Sequence, residues 1–104
     1  MSLSDRIIAQ RNADARKAAD GILARVTAEL DRIGVDFKVF GSVIRNDFIA
    51  GSDVDLMILG APSDAIKSLI EKICGAEEDE TGIKIDLLFA DELGPRNVKR
   101  LLEH

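Results

Sequence analysis

VFGSVIRNDFIAGSDVDLMIL, Val39 to Leu59, is the stretch that decides the fold. Residues 53 to 59 form a short, apolar, partly β-branched run between Gly51-Ser52 and Gly60-Ala61-Pro62, the pattern of a strand. Side chains alternate along a strand, so Asp53 and Asp55 project from one face. Two residues span roughly 6.6 Å. Two unit charges at that distance repel by about 0.6 kcal/mol in water and about 2.5 kcal/mol at an effective dielectric near 20. A divalent cation reverses that sign, and all-oxygen ligands suit Mg²⁺ or Mn²⁺. A D-x-D alone also occurs as an exposed acid pair where a strand meets a loop, so the pair needs its context.

The apolar run follows the acids, whereas in dehalogenase-like phosphatases and many sugar-nucleotide transferases it precedes them. An EF-hand loop is excluded, because its third ligand and its glycine would fall on Met57 and Ile58. Upstream, Phe37–Phe40 (FKVF) reads as a strand that ends on Gly41-Ser42. Glycine admits close backbone approach and positive φ. Ser42 is a good N-cap for a short helix through Val43–Asp47, whose N-terminus would suit a phosphate. Alone, Gly-Ser is an ordinary turn. Ten residues before paired carboxylates, it becomes a phosphate cradle facing a metal site.

The pattern GS-x(10)-D-x-D followed by an apolar strand resembles the signature of the polymerase-β-like nucleotidyltransferase superfamily. Val43-Ile44-Arg45-Asn46, Ser52 before the first acid and the small chain are similar to its minimal nucleotidyltransferase branch, in particular to that branch's antitoxin type. The resemblance covers roughly residues 20 to 95. It implies a nucleotide site at Gly41, Ser42, Arg45 and Ser52, with ATP as co-substrate. It also implies a third acid on a later strand, flanked by hydrophobic residues.

Ile83–Phe89 (IKIDLLF) supplies a candidate. It reads as a strand with Ile83, Ile85, Leu87 and Phe89 on one face and Lys84, Asp86 and Leu88 on the other. An Asp in mid-strand is disfavoured and needs a partner. Pairing with Lys84 or an arginine is one account of Asp86. The other places it beside Asp53 and Asp55 on the neighbouring strand, completing a three-carboxylate set that would hold the metal and carry the chemistry.

The remaining segments are expected to be helical. Residues 4 to 33 carry Ile8, Ala15, Ala19, Ile22, Val26, Leu30 and Ile33 at spacings of three and four, one apolar face of one long helix or two abutting ones. Gly21 weakens that helix and Gly34 ends it. Pro62-Ser63 introduces a helix over residues 64 to 74, with Glu77–Glu80 expected as a solvated loop. Cys74 falls in that helix's apolar periodicity, and a single cysteine excludes an internal disulfide. Asp91–Leu101 predicts a short closing helix with Pro95 in its first turn and Arg96, Lys99 and Arg100 towards its end. Leu102-Glu103-His104 resembles a cloning scar leading into a histidine tag.

The expected fold is therefore α/β (α+β), in the order α-β-α-β-α-β-α. Alternation alone suggests a parallel doubly wound sheet; the resemblance implies a small mixed sheet flanked by helices. One nucleotidyltransferase domain over residues 1–101 is expected, with an N-terminal helical segment (1–33) and a catalytic core (34–101).

At 104 residues the chain holds one modest core. A net charge of −5, no Trp, no Tyr and four Phe argue against broad electrostatic or stacking contact with nucleic acid. No long apolar span is present, so a cytoplasmic protein with no membrane partner is expected. The resemblance implies a nucleotidyltransferase whose acceptor is a hydroxyl on a small helical HEPN-domain protein, in a toxin–antitoxin pair; a homo-oligomer is also compatible. Two other readings stand beside it. One is a small-molecule adenylyltransferase of the aminoglycoside type, whose members carry a second domain for the drug. The other is a non-catalytic nucleotide-binding or docking module.

Overall fold

The structure, a computed structural model, describes residues 2–103. It is a mixed α/β fold: a small three-stranded sheet flanked by helices. The chain runs α1 (Leu3–Arg32), β1 (Phe37–Phe40), a 3-10 turn (Gly41–Val43), β2 (Val54–Ile58), α2 (Asp64–Thr81), β3 (Ile85–Phe89), α3 (Ala90–Leu93) and α4 (Pro95–Leu102). Strand order is β1-β2-β3. β1 runs antiparallel to β2, and β3 runs parallel to it. The sheet is thus mixed, as the resemblance implies. His104, in the tail expected as a tag scar, lies outside the described residues.

α1 is one unbroken helix through Gly21. Ser2 caps it reciprocally with Asp5, the Ser2 Oγ accepting from the Asp5 amide and the Asp5 carboxylate from the Ser2 amide. Ala19, Ile22, Val26 and Leu30 bury its face against Val54, Leu56 and Ile58 of β2 and Ile70 and Cys74 of α2. The expected face extends too far towards the N-terminus. Ile8 is 56 % exposed, and every described residue up to Arg11 is exposed, because the sheet lies only beneath the later turns. Thirty helical residues measure about 45 Å, against strands of four and five residues.

Four further expectations are corrected. The helix through Val43–Asp47 is a single 3-10 turn, and Ser42 lies within it instead of capping it. Gly41 (φ +78) bends the chain directly off β1, and Asn46 (φ +64) is left-handed, which stops a helix from propagating. The acidic block Glu77–Glu80 is the last turn of α2, not a loop. Arg25 of α1 donates to both Glu77 oxygens, at 2.7 and 2.8 Å, and Gly82 (φ +73) ends the helix beyond the block. The single closing helix is two, α3 and α4, divided at Gly94. The strands are shorter than their apolar runs, so Asp53 stands just before β2 and Ile83-Lys84 just before β3.

The two faces of the sheet differ. Phe37, Val39, Val54, Leu56, Ile58, Ile85, Leu87 and Phe89 face or flank the helical core. By alternation, Phe40, Asp55, Met57, Asp86 and Leu88 face the other way. Met57 is fully buried on that second side, where Leu101 of α4 joins Phe40 and Leu88 as a wall. Among the described residues, no helix is long and apolar enough to cross a membrane.

Candidate active site

Strand register builds the site. Phe40 pairs with Asp55 across β1 and β2, and Asp55 pairs with Asp86 across β2 and β3. One row across the sheet therefore reads Phe40, Asp55, Asp86. Those three line an open cleft of about 300 Å³ with Gly41, Arg45, Leu88 and Leu101. One half of the cleft is acidic, with a guanidinium at its rim, and the other half is apolar.

Gly41 is required where it stands. A Cβ added there would overlap Asp55 Oδ2 and lie 3.0 Å from Asp55 Cγ, and φ is +78. The backbone leaving β1 thus packs directly on the Asp55 carboxylate, which only glycine permits. Burial raises the Asp55 pKa above its ordinary value; the charges of Asp86 and Asp53 push it the same way, and Arg45 opposes them.

Asp53 lies one step before β2 and is partly exposed. It belongs to the acidic group through its charge on Asp55 but does not line the cleft. Ser42 and Ser52 do not line it either. The Ser52 hydroxyl accepts from the Ile49 amide (3.1 Å), closing the loop before β2, so its role in this structure is to hold that loop. Arg45 reaches the cleft while pairing loosely with Asp47, Nε to Oδ2 at 3.6 Å, both exposed. Sequence reasoning missed several supports. Arg16 donates to the Val43 carbonyl (2.6 Å), Asn12 accepts from the Ala50 amide (3.0 Å), and Phe48 is buried as the loop's anchor. Phe40 and Leu101 of the cleft wall were also missed: Phe40 joins the site only through its register with Asp55, and nothing in the sequence points to Leu101.

None of Asp53, Asp55 and Asp86 pairs with a cationic side chain among the described residues. No three Asp, Glu, His or Cys side chains there are close enough to enclose an ion as they stand. The donor chemistry nevertheless fits a hard divalent cation: carboxylate oxygens only, in no ion pair among the described residues, on two adjacent strands.

No match was found among curated proteins or solved structures. A family model described as "Nucleotidyltransferase domain" matches residues 22–104, from the middle of α1 through α4, so that it includes the 3-10 turn, both acidic strands and the cleft. With most of its length matched, and with the acids, the glycine turn and the mixed sheet meeting in one cleft, the chain belongs to the nucleotidyltransferase domain family.

Proposed function

We propose that this chain transfers a nucleoside monophosphate, AMP from ATP, to a hydroxyl on a partner protein, as the antitoxin of a HEPN-type toxin–antitoxin pair. The observation that carries the transferase part is the register of Asp55 with Asp86 beneath the Gly41 turn. The antitoxin part rests on the resemblance to minimal nucleotidyltransferases.

In this reading Asp53, Asp55 and Asp86 hold one or two Mg²⁺ or Mn²⁺ ions. Such ions, when bound, neutralise phosphate charge and stabilise the departing pyrophosphate. Gly41 would lie against the phosphates, where its absent side chain lets them approach the backbone, and Ser42 follows it in the same turn, outside the cleft lining. Arg45 adds a positive charge at the rim. Asp86 accepts the proton of the attacking hydroxyl. The acceptor oxygen forms its bond to the α-phosphorus in line with the bond that breaks, and the electron pair leaves with pyrophosphate.

The test uses ATP labelled at the α-phosphate, Mg²⁺, the purified chain and a lysate of its source. A labelled protein band that disappears in Asp53→Asn/Asp55→Asn supports the reading, and its mass identifies the acceptor. Transfer undiminished in the folded double variant refutes the assignment of the carboxylates. Metal-dependent ATP binding with no labelled product reduces the chain to a binding module.

A further inference from the structure

The geometry points to Lys84 as a nucleotide-gripping residue on the β3 flank of the acidic row, and as a competitor of metal for Asp53 when no nucleotide is bound. This inference rests on the nucleotidyl-transfer reading above and adds a phosphate-contacting residue to it.

Lys84 immediately precedes β3, and its carbonyl accepts from the Val54 amide at 2.9 Å. That bond extends the parallel ladder one step before the pairing of Val54 with Ile85. Lys84 therefore stands across from Asp53, just as Asp86 stands across from Asp55. Lys84 and Asp86 are two positions apart, as are Asp53 and Asp55, so strand alternation continued one step before β2 and β3 sets all four on one side of the sheet. At this end of the sheet Gly41 and Ser42 also turn away from β1. A line across it meets the glycine turn, then an acid, then a lysine.

Lys84 is exposed, and it forms no ion pair among the described residues. Eight of the fourteen Lys and Arg side chains form none, and Lys84 is set apart from the other seven by its place across from Asp53. A free ammonium on a flexible stem beside a metal-ready carboxylate faces two anionic partners in turn. Without nucleotide, its charge offsets Asp53 and opposes a divalent cation there. With a triphosphate present, it gains a far more highly charged partner. Arg45 lines the cleft, whereas Lys84 stands outside that lining, at the β3 edge beyond the acids.

The two roles predict effects of opposite sign, which loss of structure does not. Full-length wild type, Lys84→Met and Lys84→Arg are titrated with Mn²⁺ alone, and then with a non-transferable α,β-methylene ATP analogue at saturating Mg²⁺. Lys84→Met is expected to bind Mn²⁺ about threefold to tenfold more tightly, from removal of one like charge beside Asp53. It is expected to bind the analogue about tenfold more weakly, while Lys84→Arg restores both towards wild type. Unchanged Lys84→Met titrations in a wild type that binds both ligands overturn this assignment and leave the transferase reading standing. Parallel weakening of both also overturns it, since that is the signature of a structural role. A wild type that binds neither Mn²⁺ nor the analogue overturns both readings.

Discussion

Asp55→Asn should stabilise the metal-free protein while destroying its chemistry. Asp55 and Asp86 are directly paired on adjacent strands, which lie about 4.8 Å apart. Two unit charges at that separation repel by about 0.9 kcal/mol in water and about 3.5 kcal/mol at an effective dielectric of 20. Both acids are partly exposed, so screening favours the lower figure, about 1 kcal/mol. Asparagine has nearly the same shape and fits beneath Gly41. For a domain of this size, 1 kcal/mol corresponds to a rise of about 4 °C in Tm.

The sign with pH is fixed by the direction of the shift. The folded state raises the Asp55 pKa from 3.8, so the native protein holds its proton more tightly than the unfolded chain does. Below pH 3.8 both states are protonated and the wild type bears no penalty. As pH rises from 3.8 through the raised native value, that stability is lost, and it stays lost at neutrality. The gain from Asp55→Asn should therefore be absent near pH 3 and complete by pH 7. Thermal unfolding by circular dichroism in chelator, at low salt and across this range, measures it. Millimolar Mn²⁺ should then reverse the order, raising the wild-type Tm and leaving the variant unmoved. A variant that melts below wild type at pH 7 in chelator would refute the argument that the carboxylates strain the apo fold. A gain independent of pH would refute its electrostatic origin.

Gly41→Ala should cost about 1–2 kcal/mol from its positive φ alone, and it should abolish nucleotide binding by pushing the Asp55 carboxylate aside. Isothermal titration with the ATP analogue and a urea melt check the two effects. Glu77→Gln should lower Tm at neutral pH by releasing Arg25 and loosening α1 from the end of α2. Because Arg25 lowers the Glu77 pKa below 4.5, the wild-type advantage should be present above that value and fade as pH falls through the native one. Cys74 should resist thiol reagents in the native protein at pH 8. Burial comes first in raising its pKa to about 11, with Glu78 and Glu77 adding to it, so only about one molecule in a thousand carries the thiolate. Full labelling should appear in denaturant, and rapid native labelling would contradict its burial against α1 and β2.

The parts of this fold legible in the sequence are those set by local chemistry. Alternation alone put Asp53 with Asp55 and Lys84 with Asp86 on shared faces. The three- and four-residue spacing from Ala15 to Leu30 found the buried stripe of α1. The capping residue Ser63 and the break at Gly34 followed from backbone preference. What was not legible depended on partners distant along the chain. The acids of Glu77–Glu80 look solvated until Arg25, fifty-two residues earlier, arrives to hold the helix. Ile8 lies on the same helical face as Ala15, seven residues on, with Arg11 and Asn12 between them, and it has no sheet beneath it.

The candidate site divides in the same way. A strand pair can be read as two acidic faces, but whether those faces meet is a matter of register, and register is not written in either strand alone. Here it is fixed by apolar residues facing the core: Val54, Leu56 and Ile58 must lie on the helical side with Ile85, Leu87 and Phe89. A slip of one residue would turn Asp86 into that core. The cost of burying its charge there keeps it on the Asp55 side of the sheet. The hydrophobic side of the sheet therefore aligns the acids on the other side, and Gly41, by lacking a side chain, leaves room for what they bind.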